Sequence, residues 1–467
     1  MRLSVISDLH VGSGPLDDCD AVLESALVEF LAAVSDDATP TTLVINGDFL
    51  DFAQAEPWKS KDLESTTADG RIPLCFTEEQ SLEKFRGIVR AHRPIFEALG
   101  RLTTVKSRHR VVVLPGNHDA DLFWDRVREE FAATLGKGDG GTAPRLTFHL
   151  DPMLCPAEFA GVWIEHGHQY DACNRFVVDD VPHWSEQKRP IYKDKAGVPR
   201  LLECVGTRFM INFLNGLDRD YPFVDNVKPF SKFIRMFLVS AAKPGFGPLR
   251  AVVAYWGFLR FFAVTLGKSP RDLMSDDKDE QAALPVKLAE RLGDLSRSQR
   301  ESVVSALMSA GFDFKGMPLD FYIGDTSRAV VLLDFLVGHP EIVDQVHGSD
   351  AGLLSAGDAG YMTLGLSYLQ DETAALKSAA KKILSGGAST TVIMGHTHEP
   401  VDPLPTLNYV NIGSWTRYFR QKIGDKTPRS WQLLKTQASF PYELAYAAVD
   451  SGAKGHVTRR IFRSEGG

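Results

Sequence analysis

The chain has 467 residues, a net charge of −8 and 24% charged residues, which excludes a protein that binds nucleic acid through a global excess of basic charge. Its five scattered cysteines form no Cys-x-x-Cys pair and favour reduced thiols over a disulfide framework. Arg260 interrupts the most apolar stretch, residues 251–266, so no segment reaches the roughly 18 apolar residues of a membrane-spanning helix.

The chain opens on a short apolar strand that ends in an acid and an imidazole. Leu3, Val5 and Ile6 suit a buried strand, and the backbone turns at Asp8 and His10 before a loop rich in Gly, Ser and Pro. In extended backbone these two polar side chains share one face, where they could bind one divalent ion. Because the sequence opens on a strand and not on a signal segment, we expect a cytoplasmic protein.

Strands and helices then alternate, as expected for an α/β core. The predicted strands of this part are residues 41–45, 110–114, 146–150 and 162–165. The predicted helices are residues 21–34, with Asp20 as N-cap, residues 77–99, with a break at Pro94, and residues 121–135. Residues 53–76 are predicted to form a loop.

The strand pattern stops near residue 172, and mostly helical segments that contain prolines follow for more than two hundred residues. It resumes at residues 390–394, and the last predicted strands are residues 408–412, 443–449 and 456–461. The sequence therefore predicts a core in two parts, residues 1–171 and 389–467, with a helical insertion at residues 172–388.

Five predicted strands end in turns that carry potential metal ligands. These turns are Asp8-x-His10, Gly47-Asp48-x-x-Asp51, Gly116-Asn117-His118-Asp119, His166-Gly167-His168 and Gly395-His396-x-His398. Because the carboxyl ends of strands line the functional crevice of open α/β sheets, turns that are distant in sequence can converge. Carboxylate, amide and imidazole ligands suit Mn, Fe, Zn or Co. Seven or more such groups exceed what one ion uses, so two ions are predicted.

This ordered series resembles the calcineurin-like metallophosphoesterases over residues 1–171 and 389–415. The resemblance implies a two-layer mixed β-sandwich flanked by helices, with a large helical insertion. It also implies hydrolysis of a phosphomonoester or phosphodiester with two divalent ions, for which manganese is the first choice. The implied ligands are Asp8, His10 and His398 for one ion, Asn117, His166 and His396 for the other, and Asp48 as the bridge. A bridging carboxylate is needed because two cations about 3.5–4 Å apart repel each other.

By the same resemblance His118 is the catalytic histidine, which stabilises the transition state or protonates the leaving oxygen, and Asp51 orients it. The choice between His166 and His168 as ligand is open from the residues alone. His166 directly follows the strand and matches the family position, which leaves His168 as a substrate contact. The other acids of these turns are interpreted as helix N-caps, namely Asp119 and Asp171.

Residues 228–271 contain eight Lys or Arg, no Asp or Glu, and many aromatic residues. This composition predicts helices that lie on a membrane surface or line a groove for an acyl chain, and thus a peripheral membrane association. The alternative is a buried helical hairpin whose basic side chains extend to solvent. Nucleic acid is disfavoured as a partner because the aromatic residues cluster with aliphatic ones.

The stretch from Tyr409 to Trp415 resembles the lipid-A pathway UDP-diacylglucosamine hydrolases, which fits an amphiphilic phosphodiester that is lipid-linked or nucleotide-linked. Those enzymes commonly have arginine where His118 stands, and their insertion is much shorter. Two alternative functions stay open: a nuclease or cyclic-nucleotide phosphodiesterase that uses the same centre, and a metal-stabilised scaffold whose insertion binds a protein partner. The presence of every expected ligand type disfavours the scaffold.

Overall fold

A computed structural model describes the greater part of the chain. The described residues are 1–57, 76–104, 108–136, 143–171, 173–179, 181, 183–194, 196–204, 206–207, 210–211, 226–228, 292, 295–338, 342, 372–387, 389–404, 406–420, 440–450 and 457–465. The chain forms two compact units. One comprises residues 1–230, 370–422 and 429–467, and the other comprises residues 231–369 and 423–428.

The described helices and strands are numbered here in chain order. The helices are α1 (Ala21–Asp36), α2 (Glu78–Ala91), α3 (Arg93–Thr104), α4 (Asp125–Thr134), α5 (Arg297–Ser309), α6 (Leu319–Ile323), α7 (Thr326–Gly338) and α8 (Glu372–Ser385). The strands are β1 (Arg2–Ile6), β2 (Thr41–Asn46), β3 (Arg110–Leu114), β4 (Leu146–Phe148), β5 (Val162–Ile164), β6 (Ile191–Lys193), β7 (Pro199–Leu201), β8 (Val227–Lys228), β9 (Thr391–Met394), β10 (Tyr409–Asn411), β11 (Phe419–Arg420), β12 (Tyr442–Asp450) and β13 (Val457–Glu465).

Two sheets form the centre of the first unit. The larger has the order β13-β12-β1-β2-β3-β4, in which β1 to β4 are parallel and β12 is antiparallel to both β1 and β13. The smaller is the parallel sheet β10-β9-β5. Apolar side chains from both sheets pack in one shared cluster. The predicted two-layer mixed β-sandwich is therefore confirmed.

The first strand is apolar on both faces because it is buried on both. Leu3 and Val5 pack in the cluster between the sheets, while Ile6 packs on the side that the helices cover. Helix α1 covers this side and begins at the predicted N-cap: the carboxylate of Asp20 accepts hydrogen bonds from the backbone N–H groups of the first turn at 2.8 and 3.0 Å.

Several boundaries differ from the prediction. The predicted helix 77–99 is two helices that meet at His92, because Pro94 lies in the first turn of α3, where its missing N–H is tolerated. The predicted helix 121–135 begins as the 3-10 segment Ala120–Phe123 and continues as α4. The pairs β6–β7 and β8–β11 were missed because strands of two or three residues are too short to show a period of two.

The described residues of the second unit are helical. Helix α5 lies within the region predicted to be helical, and a capping box at Ser296 and Gln299 starts it. The basic aromatic segment 228–271 lies outside the described residues except for Lys228. The insertion limits at residues 172 and 388 stay a prediction. Of the helices that the structure describes, none has the length and apolarity needed to cross a membrane.

The cysteines that the structure describes are all free thiols, as predicted: Cys19, Cys155, Cys173 and Cys204. Cys75 lies outside the described residues.

His92 joins three elements of the first unit. Its ring is buried, with Nε2 at 2.6 Å from Asp17 Oδ2 in the loop after β1 and Nδ1 at 2.7 Å from Glu24 Oε2 in α1. Only an imidazolium can donate from both ring nitrogens. Burial alone would lower the pKa of His92, but the two carboxylates outweigh burial and raise it above the ordinary value of 6.5.

We therefore expect His92→Gln to lower the free energy of unfolding by about 2 kcal/mol near pH 6, where the two charge-assisted hydrogen bonds are complete. A pKa that is raised in the folded state stabilises the fold below the unfolded pKa, and the effect disappears as pH rises through the folded value. Urea unfolding at several pH values measures this difference. His149→Gln is the control, since His149 contacts the carbonyl oxygen of Met153. A destabilisation that does not change with pH would contradict the charged state of His92.

Candidate metal centre

The polar turns after β1, β2, β3, β5 and β9 meet at one end of the sandwich. Three groups of potential metal ligands result, and the donor atoms within each group lie within 4.8 Å of one another. The groups are Asp8 with His10 and His398, Asp48 with His166 and His396, and His10 with Asp51 and His118. The predicted convergence of turns that are distant in sequence is thus observed for the described residues.

Asp48 belongs to the second group and also lies close to His10 of the first group. Its Oδ2 is 3.1 Å from His166 Nε2 and 3.8 Å from His10 Nε2, and its Oδ1 accepts the backbone N–H of His118 at 2.9 Å. In the first group, His398 Nε2 lies 3.0 Å from His10 Nε2 and 3.4 Å from Asp8 Oδ1. One carboxylate oxygen therefore faces both groups.

The backbone of the ligand turns is strained. Among the described residues, five of the predicted ligands have positive φ angles: Asp8 at 55°, His10 at 43°, Asp48 at 48°, His396 at 71° and His398 at 57°. Non-glycine residues rarely adopt this region, and each costs of order 1–3 kcal/mol. Backbone hydrogen bonds hold the first two turns together: the N–H groups of Leu9 and His10 donate to the carbonyl oxygen of Asp48 at 2.9 and 3.0 Å.

Two glycines allow the turns to approach one another. A Cβ atom at Gly116 would overlap Asp48 Oδ1, and a Cβ at Gly395 would overlap Asp8 Oδ2 and Ser7 Oγ. Both positions therefore need glycine for space.

Hydrogen bonds determine which ring nitrogens carry lone pairs. His166 Nδ1 lies 2.9 Å from the carbonyl oxygen of Asn46, which can only accept, so Nδ1 carries the proton. In the neutral ring His166 Nε2 is then an acceptor that faces the carboxylate of Asp48. Similarly, His10 Nδ1 lies 2.9 Å from Asp51 Oδ2, which leaves Nε2 for the centre.

Two acceptors that face each other need a positive charge between them. In the metal-free protein a proton supplies it: burial lowers the pKa of His166, but the negative charges of Asp48 and Asp8 raise it to about 9. Likewise, burial raises the pKa of Asp48, and the neighbouring histidines, His166 first, hold it well below its usual range. Asn117 Oδ1 is also buried, and it makes no hydrogen bond. The donor types of these turns, carboxylate, imidazole and amide oxygen, suit a divalent cation.

The comparison with known families agrees with this geometry. Residues 1–199 match the family model described as calcineurin-like phosphoesterase. The match covers 199 of the 467 residues and supports the calcineurin-like superfamily for this part of the chain. The match includes the first four ligand turns, and the fifth, at residues 395–398, completes the groups in space. Searches of the curated proteins and of the solved structures found no match, so the likeness to UDP-diacylglucosamine hydrolases stays a prediction.

Asp51, in the second ligand turn, contacts two histidines. Its Oδ2 lies 2.9 Å from both His118 Nδ1 and His10 Nδ1. Burial raises the pKa of Asp51, but the two rings lower it below its usual range, so the carboxylate is ionised. The contact with His118 agrees with the predicted orienting role. The contact with His10, a predicted metal ligand, was missed.

His118 borders a cavity of about 10 Å³. Apolar side chains line the cavity with His118 and Asn117, among them Phe76, Phe176 and Leu201. The segment after residue 172 thus contributes side chains next to the predicted catalytic histidine.

His168, the predicted substrate contact, is buried. Its ring centroid lies 4.6 Å from that of Trp184 and 5.4 Å from that of His166. Burial also keeps the pKa of His168 well below its ordinary value, so the ring is neutral. Its role toward a substrate stays a prediction.

The two acids interpreted as helix N-caps have other contacts. Asp119 precedes the 3-10 segment, but its carboxylate accepts hydrogen bonds from the backbone N–H groups of Phe49, at 2.8 Å, and Gly116. It therefore joins two ligand turns. Asp171 ends the 3-10 segment His168–Tyr170 and contacts His396. The N-cap interpretation is wrong for the side chain of Asp119, which makes no capping hydrogen bond with the 3-10 segment. The carboxylate of Asp171 does accept the backbone N–H of Cys173 two residues on, as a capping side chain would, and it contacts the distant His396 as well.

We expect Gly395→Ala to weaken binding of Mn²⁺ by about tenfold or more, because the added methyl group displaces Asp8, whose group includes His10 and His398. Titration calorimetry measures the affinity. Gly386→Ala is the control, since its Cβ would meet its nearest neighbour at an ordinary 3.4 Å. Equal affinity in wild type and Gly395→Ala would show that this close approach does not shape the centre.

Proposed function

We propose that the chain hydrolyses phosphoesters with two divalent ions bound at this centre. The observation that carries the proposal is the buried carboxylate of Asp48, whose Oδ2 lies 3.1 Å from His166 Nε2, together with Asn117 Oδ1, a buried acceptor that makes no hydrogen bond. A buried acceptor without a donor is costly, and a cation removes that cost. The family match of residues 1–199 supports the reaction class.

The proposed ligands divide into two sets with one shared member. Asp8, His10 and His398 would hold one ion, and Asn117, His166 and His396 would hold the other. Asp48 would bridge the ions, because its Oδ2 faces His10 and His166. The described groups contain carboxylate and imidazole ligands and no thiolate, which suits Mn²⁺, with Fe, Zn or Co as alternatives.

Two cations bound here would activate a water molecule and neutralise charge on the phosphate oxygens. The protein's own contribution centres on His118. Asp51 holds the proton of His118 on Nδ1 and turns the Nε2 edge of the ring away from itself. From this position we propose that His118 contacts the phosphoester and gives a proton to the leaving oxygen. The backbone N–H of His118 donates to Asp48 at 2.9 Å, which links the proposed acid to the proposed bridging ligand.

We expect Asp48→Asn to lose both ions and all measurable hydrolysis of bis(p-nitrophenyl) phosphate with Mn²⁺. His118→Asn should keep both ions but lower kcat by about 10²–10⁴-fold, the usual contribution of a general acid. Metal analysis and steady-state kinetics separate the two effects. Asp194→Asn is the control, because this acid pairs with Arg200 in the β6–β7 hairpin. Full activity in Asp48→Asn would contradict the proposal.

For the substrate we propose an amphiphilic phosphodiester, lipid-linked or nucleotide-linked. The support is the sequence of residues 228–271, with eight basic and no acidic residues.

We expect charge reversal at Lys232, Arg235, Arg250 and Arg260 to reduce vesicle binding and turnover of lipid phosphodiesters, while turnover of bis(p-nitrophenyl) phosphate is retained. Sedimentation with anionic vesicles and a panel of lipid, nucleotide and polynucleotide esters measure this. Arg297→Glu is the control, since this side chain lies outside the basic segment and is 94% exposed on α5. Unchanged vesicle binding would refute the lipid assignment, and a steep salt dependence of polynucleotide binding would favour a nuclease.

A further inference from the structure

A buried carboxylate lies on the far side of a predicted metal ligand. Asp171 Oδ2 is 3.1 Å from His396 Nε2, and the two side chains are only 8% and 6% exposed. The residues are 225 positions apart in the chain. Gly167, four residues before Asp171, has a φ of 112°, in the left-handed region that favours glycine.

The neighbours of Asp171 fix the orientation of its carboxylate. Oδ1 accepts the backbone N–H of Cys173 at 2.8 Å, and Oδ2 accepts Asn174 Nδ2 at 2.7 Å. These donors favour the ionised carboxylate, which is an acceptor only.

An acceptor-only partner determines the tautomer of His396. Nε2 must carry the proton that it donates to Asp171, so in the neutral ring the lone pair is on Nδ1. The backbone of His396 is also fixed, because its N–H donates to the carboxylate of Asp8 at 3.0 Å. His396 belongs to the group that contains Asp48 and His166.

We propose that Asp171 is a positioning residue that selects the His396 tautomer whose Nδ1 binds the second divalent ion. This inference rests on the proposed function. It gives His396 the arrangement already observed for His10 with Asp51 and for His166 with the carbonyl oxygen of Asn46, in which the outer ring nitrogen donates to a fixed acceptor.

Comparison of two substitutions distinguishes tautomer selection from a role in holding the loop. Asp171→Asn can keep the bond from the Cys173 N–H, but it places an NH₂ group opposite His396 Nε2 and thereby favours the tautomer with the proton on Nδ1. Asp171→Ala removes the acceptor without adding a donor. We expect Asn to weaken the second Mn²⁺ by about 10–100-fold, more than Ala does, and to leave the first ion unchanged. If Asp171 only holds the loop, Asp171→Ala would weaken Mn²⁺ binding more than Asp171→Asn does.

The measurements are Mn²⁺ stoichiometry and affinity by calorimetry and metal analysis, together with the His396 tautomer by ¹⁵N NMR of the metal-free full chain. His396→Gln assigns the His396 signal. Asp313→Asn is the matched control, because Asp313 accepts the backbone N–H of Lys315 two residues on, as Asp171 does with Cys173, and is exposed. It should bind both ions as wild type does.

The results separate this inference from the proposed function. If wild type binds two ions and Asp171→Asn keeps both, with the proton still on His396 Nε2, the role of Asp171 is refuted while phosphoester hydrolysis stands. If wild type binds two ions, Asp171→Asn loses one, and wild type cleaves no phosphoester, the proposed function fails and the role of Asp171 stands. A wild-type chain that binds fewer than two ions refutes both.

Discussion

The structure depends on the balance of charge around Asp48. This carboxylate is 1% exposed, and it faces His166 Nε2, a ring nitrogen whose proton belongs on the opposite side of the ring. A fold that buries acceptors against each other is stable only if a proton or a metal ion lies between them. The raised pKa of His166 reflects the negative charges of Asp48 and Asp8 around it. Two divalent ions held by the neighbouring ligands would supply positive charge in place of this proton.

The sandwich provides the stiffness that this arrangement needs. Strands β1, β2 and β3 are parallel and paired in a fixed register. The ligand turns that follow them therefore begin next to one another at one end of the sheet. The strained residues of these turns, such as Asp8 and Asp48, are then held by backbone hydrogen bonds between turns. Trp415 adds to this support: it is buried, its backbone N–H donates to the carbonyl oxygen of Asp8 at 2.9 Å, and its ring contacts Phe30 of α1. Strain at a ligand turn is offset by packing elsewhere.

The sequence predicted the site residues that lie next to a recognisable strand or turn. Asp8, Asp48 and His166 directly follow apolar strands or their glycine turns, so the strand pattern placed them at the same end of the fold. The contacts behind the ligands were not predicted, because Asp171 and His396 are 225 positions apart and meet only once β5 and β9 pair in the smaller sheet. Asp119 looked like an N-cap for the same reason. The contact of His92 with Asp17 and Glu24 likewise joins a helix end to two distant elements, and no motif marks it.

The most direct test of the central claim is a crystal structure of the full chain with Mn²⁺, with anomalous scattering at the manganese edge. Two anomalous peaks about 3.5–4 Å apart, on either side of Asp48 and next to His10 and His166, are the expected result. A single peak, or peaks away from Asp48, would contradict a dinuclear centre at these turns.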